Sequence, residues 1–255
     1  MATAVVHYSA AAVSDRGRKR ASNEDAFGYS TEYGVYLVCD GMGGAAAGEI
    51  ASSLAVDEFM RLLTGRAADA PLQEVIDQAI LTANEAIYSR SQANSKLSGM
   101  GTTMVALVVE ARRVRVLNIG DSRCYRLRGG HLKQISQDHS LVDEQVRLGR
   151  MTPAEALRSP LKNVITRALG TQSRVTPDIF ELEAEPGDLF LLCSDGLTRE
   201  LPDPRIESIL NDGHAKAGLP LEALCCSLVE AANQAGGGDN ITCLLLRAEI
   251  GRAHV

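Results

Sequence analysis

The 255-residue chain has no apolar run approaching the roughly 18 residues that a membrane-spanning helix needs. Its six cysteines, Cys39, Cys124, Cys193, Cys225, Cys226 and Cys243, contain no CxxC pair, which removes the usual signature of a redox or zinc motif. Cys39, Cys193 and Cys243 sit inside apolar runs and read as buried free thiols in a reducing cytoplasm. The five histidines, His7, His131, His139, His214 and His254, lack ligand spacing to one another or to the cysteines, which argues against zinc. There is no long block of like charge within the 23% charged residues, so global disorder is excluded. A net charge of -6 is the wrong sign for a general binder of nucleic acid or anionic membranes. The leading MATAVVHYSAAAV has neither a basic start nor a long apolar stretch, and the expectation is that it is no signal peptide. Internal repeats, low-complexity linkers and heptads are also missing. With 45% hydrophobic residues, the expectation is one domain over residues 1–255, monomeric and cytoplasmic.

What is present is a set of short apolar strands around long helices. Val35 to Cys39, Thr103 to Val109, Val114 to Ile119, Leu189 to Cys193 and Ile241 to Leu246 are short, apolar or β-branched, and end at turn residues. Gly44 to Leu63 and Leu72 to Ser91 predict helices. In the second, Leu72, Val75, Ile76, Ala79, Ile80, Ala83 and Ile87 keep one helical face, and Pro71 suits the first turn. Leu221, Leu224, Cys225, Leu228, Val229 and Ala232 repeat that spacing until Gly236 to Gly238 stop it. Strands and helices do not alternate strictly, which favours a mainly antiparallel α+β layered domain over a doubly wound parallel sheet. Leu141 to Gly170 is polar and broken by Gly149, Pro153 and Pro160, so it reads as a short helical insertion or flap rather than core.

Four aspartates stand at the edges of those strand-like runs. They are Asp40 in VYLVCDGMGG, Asp121 in RVRVLNIGDSR, Asp195 in DLFLLCSDGL and Asp239 in GGGDNITCLLL. Any single Asp-Gly is adequately explained as a turn. Four carboxylates beside core strands each carry a burial cost unless neutralised, and a hard divalent cation, Mg²⁺ or Mn²⁺, neutralises several at once. Gly41 and Gly196 would let carbonyls or waters approach such an ion, and Gly236 to Gly238 suggest close backbone approach at the same place.

Further segments extend the pattern: Arg20 to Asp25 (RASNED), Asp40 to Gly44 (DGMGG), Ser98 to Thr103 (SGMGTT) and Gly120 to Arg123 (GDSR). Asp138 to Ser140 (DHS), Asn163 to Gly170 (NVITRALG), Cys193 to Gly196 (CSDG) and Gly238 to Asn240 (GDN) follow. In this order, over about residues 14 to 246, the chain resembles the bacterial form of the metal-dependent protein serine/threonine phosphatases of the PP2C (PPM) family. The resemblance implies a four-layer αββα sandwich of two mainly antiparallel sheets flanked by helix pairs, with metals in a cleft at one end. It implies that Asp40 bridges two Mn²⁺ or Mg²⁺ ions and that Asp195 and Asp239 hold the first. The Gly41 carbonyl would reach the second, and Glu24 would contact its water. Asp121, with Asp195, would support a third, looser ion. Asp25 would stand behind the ligands, and Arg20 would bind the substrate phosphate. The reaction implied is hydrolysis of phosphoserine and phosphothreonine by metal-activated water, opposing serine/threonine kinases and acting on their substrates.

Where many eukaryotic members place a histidine, this chain has Met42, which cannot donate a proton; a metal-bound water is the expected donor. His139 is expected to be structural. Cys193 and Arg199 have the C-x5-R spacing of cysteine-dependent phosphatases, but Asp195 within that loop would repel phosphate. The alternatives within reach are a regulatory phosphatase of an anti-sigma antagonist and a non-catalytic phosphoprotein-binding scaffold. Asp121, the flap and the unbroken ligand set argue against both.

Overall fold

The computed structural model describes residues 6–215 and 219–250. The first five residues of the leading segment and His254 lie outside the described residues, as does the side chain of His214. The described residues form eleven strands and seven α-helices. One sheet contains β1 (Val6–Asp15), β11 (Ile241–Ile250), β10 (Leu189–Cys193), β7 (Arg123–Arg128) and β8 (His131–Gln134), in that spatial order. The other contains β2 (Asp25–Ser30), β3 (Val35–Met42), β5 (Met104–Glu110), β6 (Arg113–Ile119) and β9 (Asp178–Glu183). The two-residue β4 (Gly101–Thr102) adds to the end of β3, and every pairing is antiparallel.

The central strands read as continuous apolar runs because both of their faces are buried. In β3, Val35, Leu37 and Cys39 face α1 (Ala45–Thr64) and α2 (Leu72–Ala93), while Tyr36 and Val38 face the opposite sheet. In β10, Leu189, Leu191 and Cys193 face α5 (Asp195–Glu200), α6 (Asp203–Ala215) and α7 (Leu221–Ala235). Phe190 and Leu192 of the same strand point into the layer between the sheets. The period of two along a strand thus feeds three apolar layers: helix–sheet, sheet–sheet and sheet–helix. This is the αββα sandwich expected above. Among the described residues no helix is long and apolar enough to cross a membrane.

The flap segment holds α3 (Leu141–Arg147), capped by the Ser140 hydroxyl, and α4 (Pro153–Arg158), which begins with a reciprocal Thr152–Glu155 capping box. Leu148 and Leu157 are exposed on it. Its far end corrects the sequence reading. Leu169 is fully buried in the helix–sheet layer and pairs with Thr102, so the stretch just before Gly170 belongs to the core. A Cβ on Gly170 would stand 2.0 Å from Ile87. A burial requirement at that one position is not visible in a polar, Pro- and Gly-broken stretch.

Candidate metal centre

All four aspartates fall at one end of the sandwich. Asp40 lies near the end of β3, Asp121 just after β6, Asp195 at the first position of α5 after β10, and Asp239 just before β11. Arg20, Glu24, Asp40, Gly41, Asp195 and Asp239 line one cleft of about 400 Å³, with Met42 and Arg199 beside them. Asp121 does not reach that cleft. It lines a neighbouring cavity of about 620 Å³ on the flap side, and shares Asp195 and Arg199 with it.

The backbone around Asp40 is clamped. Its N–H donates to Thr103 Oγ1 (2.9 Å), and its carbonyl accepts from the Thr102 hydroxyl and the Thr103 N–H, each at 2.9 Å. Thr103 Oγ1 also meets Ser122 Oγ at 2.7 Å, tying Asp40 to the GDSR turn. Asn240 performs the matching role on the other side. Its Oδ1 accepts from the Glu24 N–H (2.9 Å), and its Nδ2 donates to the carbonyls of Arg16 (3.0 Å) and Ser22 (2.9 Å). The loop bearing Arg20 is thereby tied to the Asp239 turn. Sequence reasoning placed Thr103 and Asn240 within motifs but gave neither a role. Their partners lie 63 and 216 residues away, beyond any local pattern.

Gly41 and Gly196 stand where backbone packs closely on backbone. A Cβ on Gly41 would stand 2.1 Å from the Gly48 carbonyl oxygen, and one on Gly196 would stand 1.9 Å from that of Asn240. Within the glycine triplet, Gly237 accepts the Arg18 N–H at 2.8 Å and the Gly238 N–H is held by Glu200 at 2.8 Å.

The electrostatics are those of crowded anions. Asp25 and Asp40 are directly opposite in the β2–β3 register, an arrangement that repels if both are charged. Asp25 Oδ2 accepts from Thr242 (2.6 Å) and Ser194 (2.7 Å), yet burial still pushes the carboxyl up to about 6. Burial and then the neighbouring carboxylates push Asp40 and Asp195 well above the usual carboxylate range. Burial also raises Asp121 and Glu24. Buried Asp25 Oδ1, Asp121 Oδ1 and Asp195 Oδ1 have no hydrogen-bond partner. Lone pairs of this kind, on all-oxygen donors, suit a hard divalent cation. Among the described residues, however, the side chains alone do not close into a three-ligand group. Two guanidinium groups stand among them instead: Arg20 Nη2 is 2.7 Å from Asp239 Oδ2, Arg199 Nη1 is 3.0 Å from the same oxygen, and Arg199 also pairs with Asp195.

Arg199 is the residue that sequence reasoning misjudged, setting it aside together with Cys193. The judgement on Cys193 holds, since its thiol is fully buried and pushed up to about 12, which leaves no thiolate at neutral pH. His139 is structural. Its Nδ1 accepts the Gly120 N–H at 3.0 Å, its Nε2 lies 3.2 Å from Asp178, and it does not line the cleft.

The model of the protein phosphatase 2C family matches residues 15–235. This chain belongs to that family. The serine/threonine phosphatase stp of Listeria monocytogenes serotype 4b (strain F2365) is 38% identical over 92% of this chain and 94% of its own length. The serine/threonine protein phosphatase PstP of Mycobacterium tuberculosis (strain H37Rv) is 40% identical over 94% of this chain, which spans 44% of PstP. A crystal structure of the PstP catalytic domain in complex with two manganese ions superposes with a TM-score of 0.83 at 37% identity, covering 97% of this chain and 100% of that one. Membership of the protein phosphatase 2C family accounts for the antiparallel sandwich and for a cleft lined with carboxylates rather than with a thiolate or a histidine.

Proposed function

We infer that this chain is a metal-dependent protein serine/threonine phosphatase acting through the carboxylate cleft. The observation that carries the reading is the convergence of Arg20, Glu24, Asp40, Asp195 and Asp239, from distant parts of the chain, on one cleft at the end of the sandwich. Asp40, Asp195 and Asp239 would hold one Mn²⁺ ion, and Asp40 with the Gly41 carbonyl, and Glu24 through water, would hold a second. Asp121 and Asp195 would support a third, and Mg²⁺ is the alternative ion. Divalent ions held there supply a hydroxide equivalent near neutral pH and offset charge on the phosphoryl group.

The chain's own residues do the rest. Arg20 is 47% exposed at the cleft, and its planar fork can take two phosphoryl oxygens at once, which a lysine cannot do. Arg20 Nη2 lies 2.7 Å from Asp239 Oδ2, so substrate phosphate and Asp239 compete for this side chain. Met42 lines the cleft and offers no proton to a leaving alkoxide. Residues 1–255 act as one catalytic domain, with a flap that starts at about residue 141 and ends before the core pairing of Leu169 with Thr102. The enzyme works as a cytoplasmic monomer on phosphorylated proteins, among them serine/threonine kinases and their substrates.

Release of phosphate from a phosphothreonine peptide should require Mn²⁺ and stop in EDTA. Equal release in both would end the metal-dependent reading, and no release in either would end the enzyme reading for this peptide class. The flap sits beside the cleft and carries exposed Leu148 and Leu157, and it is proposed to meet protein substrates. Deleting residues 149–159 should therefore lower turnover of a phosphoprotein several-fold more than that of a small aryl phosphate. An equal loss on both would assign the flap to stability alone.

A further inference from the structure

Arg199 already supplies a positive charge to the carboxylates proposed as metal ligands. It lies four residues after Asp195 on α5, the spacing that brings two helical side chains together. Its guanidinium pairs with Asp195 and reaches Asp239 Oδ2 at 3.0 Å, so one fork spans two ligands from separate segments. Asp239 has little capacity to spare. Oδ2 accepts from both Arg20 and Arg199, and Oδ1 accepts the Asn240 N–H at 2.8 Å. The Arg199 side chain is only 34% exposed, so this pairing is less screened by solvent than a surface ion pair.

A divalent ion and a guanidinium compete most directly at Asp239, whose Oδ2 already holds two guanidinium groups, while Asp195 keeps Oδ1 unpartnered. Two cations at that separation also repel. We propose that Arg199 is a built-in competitor for the metal: it holds the carboxylates together before an ion arrives, and it must leave them for the ion to bind. This rests on the ligand set of the preceding subsection. Room for the departing side chain exists, because Arg199 also lines the flap-side cavity of about 620 Å³, next to Asn163 and Thr198.

Any interaction made only in the ion-free form subtracts from apparent metal affinity. Arg199 thus sets the concentration of divalent ion at which the cleft loads. An arginine that merely stabilised the fold would support the ion-free and ion-loaded forms alike, and its loss would lower both melting temperatures together. A competitor gives opposite signs in the two conditions.

The test is calorimetric titration with Mn²⁺, together with melting temperatures in EDTA and in saturating Mn²⁺, for wild type, Arg199→Ala, Arg199→Lys and Asp40→Asn. Arg199→Ala should bind Mn²⁺ about tenfold more tightly, the size of one charge-assisted pair removed from the ion-free side. It should melt below wild type in EDTA, and level with it or above it in Mn²⁺. Arg199→Lys, which keeps the charge but loses the fork, should fall between the two. It also carries the test if Arg199→Ala does not fold without metal. Unchanged or weaker Mn²⁺ binding by both Arg199 variants, with binding lost in Asp40→Asn, overturns the competitor and leaves the ligand set standing. Wild-type binding by Asp40→Asn overturns the ligand set, and the competitor falls with it.

Discussion

Asp40→Asn should lose Mn²⁺-dependent phosphate release by at least about a thousandfold, near 4 kcal/mol of transition-state stabilisation. The same protein should melt higher than wild type in EDTA. Both effects come from one geometry. Asp40 faces Asp25 across the β2–β3 pair and feels Asp195, Asp121 and Asp239 as well. Asparagine keeps the shape and removes the charge, so repulsion within the ion-free cleft falls together with the bridging ligand. The pH dependence has a defined sign. Asp25 is raised from 3.8 to about 6, and Asp40 and Asp195 are also raised well above 3.8, so the folded ion-free chain holds protons that the unfolded chain has released. Their contribution to stability is present below about 3.8 and is lost as pH climbs through the folded values, for Asp25 by about 6. Carboxylates lowered by the fold, such as Asp15 and Asp178, act in the opposite direction. The difference between wild type and Asp40→Asn isolates the cluster. Urea midpoints in EDTA across this range should show the variant's advantage growing with pH, and a constant or shrinking advantage would contradict the repulsion account.

Gly17→Ala should destabilise the protein by roughly 3 kcal/mol or more, because it combines two of the mechanisms that produce large single-residue effects. Gly17 has a φ of 76°, and a Cβ there would stand 2.0 Å from the Asp239 carbonyl oxygen. The left-handed backbone alone costs about 1 kcal/mol for alanine. The clash adds the remainder by pushing on the turn that presents Asp239. Gly129→Ala separates the two contributions, since Gly129 has a φ of 57° with nothing within 4 Å of its would-be Cβ. It should cost about 1 kcal/mol and leave Mn²⁺ affinity alone. For a chain of this size each kcal/mol corresponds to about 2–4 °C, so the two variants should melt clearly apart. Gly17→Ala should also bind Mn²⁺ more weakly. Equal melting of the two variants would show that the Gly17 loop yields to the methyl group.

The parts of the fold legible in the sequence were those buried on both faces. The five strands read from the sequence are all present, and β10 has the bounds expected, because a strand between two apolar layers must be apolar at every position. Four of the strands missed, β1 (VHYSAAAVSD), β2 (DAFGYS), β8 (HLKQ) and β9 (DIFELE), lie at sheet edges, and a fifth, β7 (RCYRLR), is interior but interrupted by arginines. They are strands because of what they pair with, which local composition does not record. In the site, the carboxylates stood out through the conflict between their charge and the apolar runs beside them. Thr103, Ser194 and Asn240 raised no such conflict, and only the folded backbone shows what their side chains hold. Arg199 was hidden differently: its spacing from Cys193 suggested another chemistry, while its partner was Asp195, one helical turn back.

The pairing of β1 with β11 sets the timing of this enzyme's birth. Val6–Asp15 runs beside Ile241–Ile250 along its full length, so the first described strand waits at the ribosome for the last. Asp40, Asp121 and Asp195 have all been synthesised by then, but Asp239 leads directly into β11. Contacts this distant in sequence form late, after the entropy of closing the long loop between β1 and β11 has been overcome. A nascent chain short of β11 therefore carries the acidic residues without the cleft, and phosphatase activity is withheld until β11 has been made.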